Sequence, residues 1–227
     1  WDNAATLSDP LISNPVASPE TGTTVYTVTY TDINGCNDSE SVSITALPEF
    51  TAGAIVNTVT NLCYGVIPAQ IGSITNAAGG DDNITYRWDA NGVEIVGADQ
   101  AFYTPTAGIT ETTVFTRRAK DGACNNFIQS AGSYTVIVEP TPVTGILTKI
   151  PDITNLCESQ FVWAYLTAGS GGNGVEELVF RVLMRGATSW TSWQPYTSNV
   201  AISTTGLSGV EIRTRRMANY CENSDYS

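Results

Sequence analysis

Residues Thr24–Thr31 read "TVYTVTYT". Tyr26, Val28 and Tyr30 fall on one face of an extended chain, and Thr27, Thr29 and Thr31 on the other. That is the period of a half-buried antiparallel strand, written in the β-branched and aromatic residues that a pleated surface favours. The pattern recurs along the 227 residues. "ITYRWDANGVEIVG" (Ile84–Gly97) reads as a hairpin, because Asn91-Gly92 suits the left-handed positions of a two-residue turn. "ELVFRVLMRGATSWTSWQPY" (Glu177–Tyr196) is a further strand and turn. No helical apolar stripe of about twelve residues occurs anywhere. Short strands punctuated by turns predict an all-β fold: tandem Ig-like antiparallel β-sandwiches in a linear array.

The chain repeats itself. "TNLCYG" (Thr60–Gly65) matches "TNLCES" (Thr154–Ser159), placing Cys63 and Cys157 94 residues apart. "VFTRRAKDGAC" (Val114–Cys124) matches "IRTRRMANYC" (Ile212–Cys221), and the two Thr-Arg-Arg triplets lie 98 residues apart. Each copy thus has one early and one late cysteine. The opening stretch fits as the late half of another copy: with Cys36 set against Cys124, Tyr26, Val28 and Tyr30 fall opposite Val114, Thr116 and Arg118. "NDSESVSITALPE" then supplies a closing strand through Val42 and Ile44, as "SYTVIVEP" (Ser133–Pro140) does in the second copy. The expected organisation is the C-terminal half of a repeat over 1–47, a complete repeat over 48–140, and a repeat lacking its last strand over 141–227. Boundaries at Pro48 and "EPTPVTG" (Glu139–Gly145) are short and carry proline, which makes semi-rigid joints.

Charged residues are 14 % and hydrophobic residues 42 % of the chain, a globular balance rather than a disordered one. The net charge is −12, with six acids and no base in residues 1–47. Such repulsion argues against nucleic acid and anionic membrane surfaces as partners. No apolar run approaches the ~20 residues of a membrane span, and no signal peptide is visible at Trp1. Histidine is absent, so no Ser-His or Cys-His nucleophile pair can form within the chain. The chain is expected not to be an enzyme.

Repeats of roughly ninety residues are small for an unstapled core. Pairing within copies gives Cys63–Cys124 and Cys157–Cys221, each closing a loop of about sixty residues, worth ~4 kcal/mol in the chain-entropy model. Zinc is the alternative, without a C-x-x-C pair or a histidine to support it. Disulfides imply an oxidising compartment. Cys36 is left without a partner in this chain, as the late cysteine of a half repeat.

The stretch "WDNAATLSDPLISNPVASPETGTTVYTVTYTDINGC" (Trp1–Cys36) resembles the second half of the Ig-like or PKD-like repeats of very large surface adhesins of Bacteroidota. In those repeats a Trp, a Leu-x-x-Pro step, "NPVASP", "YTVTxTD" and "GC" follow in this order. The resemblance is looser over the later copies, which keep the cysteine frame but carry Thr-Arg-Arg in place of Val-Thr-Tyr. It implies a secreted, outer-membrane-attached filament of the gliding-motility adhesin type, exported by type IX secretion. It brings no catalytic residues. Expected partners are neighbouring repeats of the same polypeptide, surface polysaccharide, and outer-membrane secretion or motility machinery.

Several residue groups compete with plain structural roles. By alternation Arg118 and Arg216 share the inward face with Val114 and Ile212, and Arg117 and Arg215 face out; an inward guanidinium would pair with a carboxylate. Trp190, Trp193 and Tyr196 in "SWTSWQPY" are candidates for stacking on sugars, against packing within a hairpin. Asp81 and Asp82 in "GGDDN", with Asp32 and Asp38 in "TDINGCND", offer oxygen ligands for calcium, against ordinary turn chemistry. Apart from calcium at these turns, no cofactor is expected. Trp88 reads as a sandwich-core tryptophan. The leading function is a structural stalk segment of a filamentous adhesin. The alternatives are a polysaccharide-binding module and an accessory module of a secreted hydrolase.

Overall fold

The computed structural model describes residues 1–123 and 126–227. Apart from one 3-10 turn at Ala4–Thr6, its regular elements are strands. In chain order they are β1 (Gly22–Thr31), β2 (Asn37–Ala46), β3 (Ala54–Ile55), β4 (Thr58–Cys63), β5 (Ser73–Thr75), β6 (Thr85–Ala90), β7 (Val93–Glu94) and β8 (Thr113–Lys120). There follow β9 (Ile128–Gln129), β10 (Tyr134–Glu139), β11 (Ile146–Ile150), β12 (Phe161–Thr167), β13 (Glu176–Met184), β14 (Gln194–Pro195), β15 (Ile202–Ser203) and β16 (Leu207–Arg216). The all-β, antiparallel class expected from the sequence holds. No helix among the described residues is long and apolar enough to cross a membrane.

The chain divides into two compact units. The first gathers residues 1–57, 71–103 and 114–134, and the second 58–70, 104–113 and 135–227.

In the first unit β1 and β2 form a hairpin with unbroken register from Gly22 opposite Ala46 to Thr31 opposite Asn37. Tyr26 is buried there, its hydroxyl 2.7 Å from that of Thr6. Further along, β6 pairs with β7 and β8, while β3 pairs with β5. The β6–β7 turn is the Asn91-Gly92 pair, with φ of 49° and 78° as such a turn requires. Asn91 also accepts the Val114 N–H through its side-chain oxygen. The core holds Trp88, Phe115, Ile55 and Ile71, all buried. Trp88, Tyr103 and Phe115 stack in a row at centroid distances of 5.8 Å, and the Trp88 indole N–H donates to the Gln100 carbonyl.

The second unit contains two three-stranded sheets, β11-β12-β15 and β14-β13-β16, together with the β4–β10 pair. Strand β13 runs antiparallel to β16 from Glu176 opposite Arg216 to Met184 opposite Leu207, with an irregularity at Leu183–Met184. Val162, Ala164, Tyr196 and Thr214 are its buried residues of note.

The cysteine pairing differs from the expectation. Cys63 is bonded to Cys221, 158 residues on, with Cα atoms 4.8 Å apart. Cys157 is a free, exposed thiol, so neither Cys63–Cys124 nor Cys157–Cys221 forms; Cys124 lies outside the described residues. The reason is local. Cys63 ends β4, which lies beside β10, and the next residue, Tyr64, donates to the Glu139 carbonyl at the end of β10. The Glu139 carboxylate in turn gathers the backbone N–H groups of Asn219, Tyr220 and Cys221. The two cysteines are thus set against the same strand end. Cys36 is a free, exposed thiol.

Candidate functional site

Three clusters concentrate the chemistry. The first surrounds Arg117, which is fully buried. Its strand alternates strictly: Thr113, Phe115, Arg117 and Ala119 turn inward. The Nε–H donates to Ser130 Oγ at 3.0 Å, Nη1 to the Ala101 carbonyl at 2.7 Å and to Ser73 Oγ, and Nη2 to the carbonyls of Ala52 and Thr75 at 3.2 and 3.1 Å. All five N–H donors therefore find oxygen, and none of it belongs to a carboxylate. The Tyr86 ring lies 4.9 Å away. Burial lowers the pKa of this guanidinium from its ordinary value. The network joins β5, β8, the segment at Ala52 just before β3 and the loops at Ala101 and Ser130, so its role is to lock the first unit's core.

This corrects the facing expected of the first triplet. Arg117 is inside and Arg118 outside, where it grips Asp89 with two bonds of 2.8 and 2.6 Å. That hydrogen bond raises the Arg118 pKa. In β16 the expected facing holds: Arg216 turns inward, 3.6 Å from Glu176 and donating to the Gly171 carbonyl, and Arg215 faces out.

The second cluster covers the outer face of β13 and β16. Arg181 stands opposite Glu211 across the ladder, and Glu177 opposite Arg215. Arg181 donates to Glu211 at 2.6 Å, Arg213 reaches the other oxygen of Glu211 at 2.6 Å, and Arg215 donates to Glu177 at 2.5 Å. Aromatic rings are threaded between them. Arg181 lies over Trp190 at 5.0 Å and over Trp193 at 4.5 Å, Arg213 over Trp193 at 5.0 Å, and Arg215 over Tyr226 at 4.6 Å. The Tyr226 hydroxyl donates to Glu177 at 2.6 Å. This bond, outweighing burial together with Arg215, holds Glu177 below its ordinary pKa. Burial pushes Glu211 up, but Arg181 and Arg213 together bring it below the usual range.

The three candidate sugar-stacking residues are not one platform. Tyr196 is buried, packs against Phe180 at 6.1 Å, accepts the Ala164 N–H and donates to the Val200 carbonyl. Only Trp190 and Trp193 belong to the outer face, and arginines stack on both. Trp190 also rests on Gly209, where a Cβ would meet its ring at 2.8 Å. The sequence signal for this ladder was present in the alternation of Arg213 and Arg215 with Glu211, but the tryptophans arrive through a turn whose path alternation does not give.

The third cluster is the Glu139 clasp beside the disulfide. The carboxylate accepts from Asn219 at 2.9 Å, Tyr220 at 2.6 Å and Cys221 at 3.0 Å. Burial raises its pKa, and the three N–H donors more than reverse that, so the carboxyl sits below its ordinary value.

The acidic turns do turn chemistry. Asp32 accepts the N–H groups of Asn34 and Cys36, and the bond from Cys36 leads in lowering its pKa. Asp38 accepts from Ser39, and Asp81 from Asn83 and Gly122. Asp82 sits in the left-handed region at φ 59°. Among the described residues no three Asp, Glu, Cys or His side chains gather as a metal site would require.

Residues 51–140 match a family described as a domain of unknown function (DUF8696). A search of curated proteins returns no match. Among solved structures, titin domains A168–A170 are similar at 14 % identity, over 90 % of this chain and 74 % of that one, with a TM-score of 0.42. Yersinia pseudotuberculosis InvD is similar at 12 % identity, over 87 % of this chain and 83 % of that one, with a TM-score of 0.24.

Proposed function

We propose that the chain is a structural spacer: a stalk segment of a large, secreted, cell-surface filamentous adhesin, built from Ig-like repeats and carrying load rather than catalysing a reaction. The observation that carries this reading is the Cys63–Cys221 bond. Tension between the chain's ends passes from residue 63 across the sulfur bridge to residue 221, so everything between is shielded from extension. A disulfide of this kind fits an exported protein, and the −12 net charge suits a solvated filament. The Bacteroidota resemblance of Trp1–Cys36 adds the gliding-motility and type IX secretion setting, with neighbouring repeats and the outer-membrane machinery as partners.

Single-molecule pulling from the two ends tests it. The oxidised protein should stop extending short of its full contour, and reduction should release about 500 Å more, at ~3.3–3.6 Å per freed residue. Equal contour lengths with and without reductant would defeat the load-shunting mechanism. A polysaccharide array provides the functional arm: a pure spacer shows no saturable binding, whereas binding abolished by Trp190→Ala or Trp193→Ala would make recognition the function instead.

A further inference from the structure

We propose that the Cys63–Cys221 bond is a reclosable latch. Hydrogen bonds around Glu139 hold the two sulfurs together when the bond is reduced, and Glu139 is the positioning residue that makes this pair, among five cysteines, the one that re-forms. The proposal goes beyond the spacer reading and does not depend on it.

The sulfur bridge is framed by contacts that contain no sulfur, all of them within the second unit. On one side β4, which Cys63 ends, lies beside β10, and the Tyr64 N–H donates to the Glu139 carbonyl at 2.9 Å. On the other side the Glu139 carboxylate collects the N–H groups of Asn219, Tyr220 and Cys221. The loop that carries Cys221 is also fixed from behind. Met217 donates to the Val175 carbonyl and accepts from the Asn173 N–H, both at 2.9 Å. The Asn173 amide donates to Asn219 Oδ1 at 3.1 Å, and the Ala218 N–H to Asn223 Oδ1 at 2.8 Å. Two segments 158 residues apart thus converge on one strand end through bonds that reduction leaves intact.

Chain statistics alone would not choose this pair. Loop closure favours short separations, so an unguided chain would join Cys63 to Cys36, or Cys221 to Cys157, at least as readily. Cys36 and Cys157 are exposed, whereas Cys63 and Cys221 are half-buried. The choice must come from the fold. The surroundings also suit a thiol. Cys221 Sγ lies 3.6 Å from the Glu139 carbonyl oxygen and 4.0 Å from that of Pro140, so a reduced S–H finds acceptors in place.

Closing is thiol–disulfide exchange with a small-molecule disulfide as the oxidant. One protein thiolate attacks that disulfide, forms a mixed disulfide and releases one small thiolate. The second protein thiolate attacks the protein sulfur of the mixed disulfide, forms Cys63–Cys221 and releases the other. The oxidant is reduced to two thiols, which take up the two protons that the cysteines lost.

The test uses the full chain in glutathione buffers of defined ratio, with free thiols trapped by alkylation and the pairs assigned by peptide mapping. On reduction, amide protection at Tyr220 and Cys221 should persist. Reoxidation should return Cys63–Cys221 rather than a mixture with Cys36, Cys124 or Cys157. Glu139→Gln should lower the equilibrium constant for closing about tenfold, the scale of one charge-assisted hydrogen bond, and raise the share of other pairs. Glu177→Gln, which removes a carboxylate of the same unit outside the clasp, should change neither. Loss of that protection on reduction of the unsubstituted chain overturns the proposal, and this measurement needs no variant to fold. So does reoxidation that scatters over the five cysteines, a Glu139→Gln protein that closes the same pair as readily, or an equal loss in Glu177→Gln.

Discussion

Thr116-Arg117-Arg118 on β8 and Thr214-Arg215-Arg216 on β16 are the same three residues in matching repeats, yet they turn opposite ways. On β8 the first arginine is sealed in the core; on β16 it lies outside over a tyrosine, and the second arginine turns in. The difference is decided two residues earlier. Phe115 takes the inner face of β8, leaving Val114 at the surface. The residue in the place of Phe115 is Arg213 in the later copy, so Ile212 takes the inner face instead. A strand has only two faces, and moving the anchoring apolar residue by one position flips every side chain that follows. The chemistry then diverges. The buried guanidinium is held by hydroxyls and carbonyls, which match its five donors without burying a second charge. The outer guanidinium groups pair with carboxylates and rings in a half-wet ladder.

The largest expected effect is at the buried site. Arg117→Met strands the carbonyls and hydroxyls around it, at about 1–3 kcal/mol for each buried group left unsatisfied. Arg215→Met removes a half-exposed ion pair and its contact with the Tyr226 ring, and should cost about 1 kcal/mol. Urea midpoints for the two variants measure the contrast, and equal losses would break it. Next is the anchor itself: Phe115→Ala should cost about 3–5 kcal/mol, against under about 1 kcal/mol for Arg213→Ala. If the pair came out reversed, Phe115 would not be what sets the face of β8.

Acid sharpens the contrast further. Glu177 and Glu211 both titrate below their ordinary range in the folded state. Their contribution is therefore complete above that range and is lost as pH falls through the lowered folded values. Below about pH 4 the indole signals of Trp190 and Trp193 should shift in NMR spectra, while Trp88 stays put because no carboxylate supports Arg117. The Glu139 clasp follows the same sign, so the protection of Asn219, Tyr220 and Cys221, measured against the intrinsic exchange rate at each pH, should fall over the same descent, and Glu139→Gln should show that lower protection already at neutral pH. The smallest effect is from salt. Raising ionic strength to about 1 M shortens the screening length to roughly 3 Å and should loosen the outer ladder slightly, leaving the Arg117 network unchanged.

Much of this architecture was legible. The alternation of "TVYTVTYT" gives β1 with its buried Tyr26, Asn91-Gly92 gives the β6–β7 turn, and Trp88 is in the core. Alternation alone could not orient the triplets, because it fixes which residues share a face and not which face the rest of the fold covers. Val114 and Ile212 occupy equivalent places in the aligned copies, and only the contrast of Phe115 with Arg213 tells their faces apart. The disulfide was hidden for another reason. Spacing pairs cysteines within a repeat, but the actual bond is set by the Glu139 carboxylate collecting the Asn219–Cys221 backbone, a contact between residues 80 to 82 apart in sequence. Likewise the Trp190–Trp193 ladder depends on how a turn folds back over β13, which no strand period encodes.

The Cys63–Cys221 bond also bears on what a single backbone cut can do. A protease that cuts the backbone once anywhere from residue 64 to residue 220 produces two fragments that remain one covalent molecule. A single cut therefore parts the chain only before Cys63 or after Cys221.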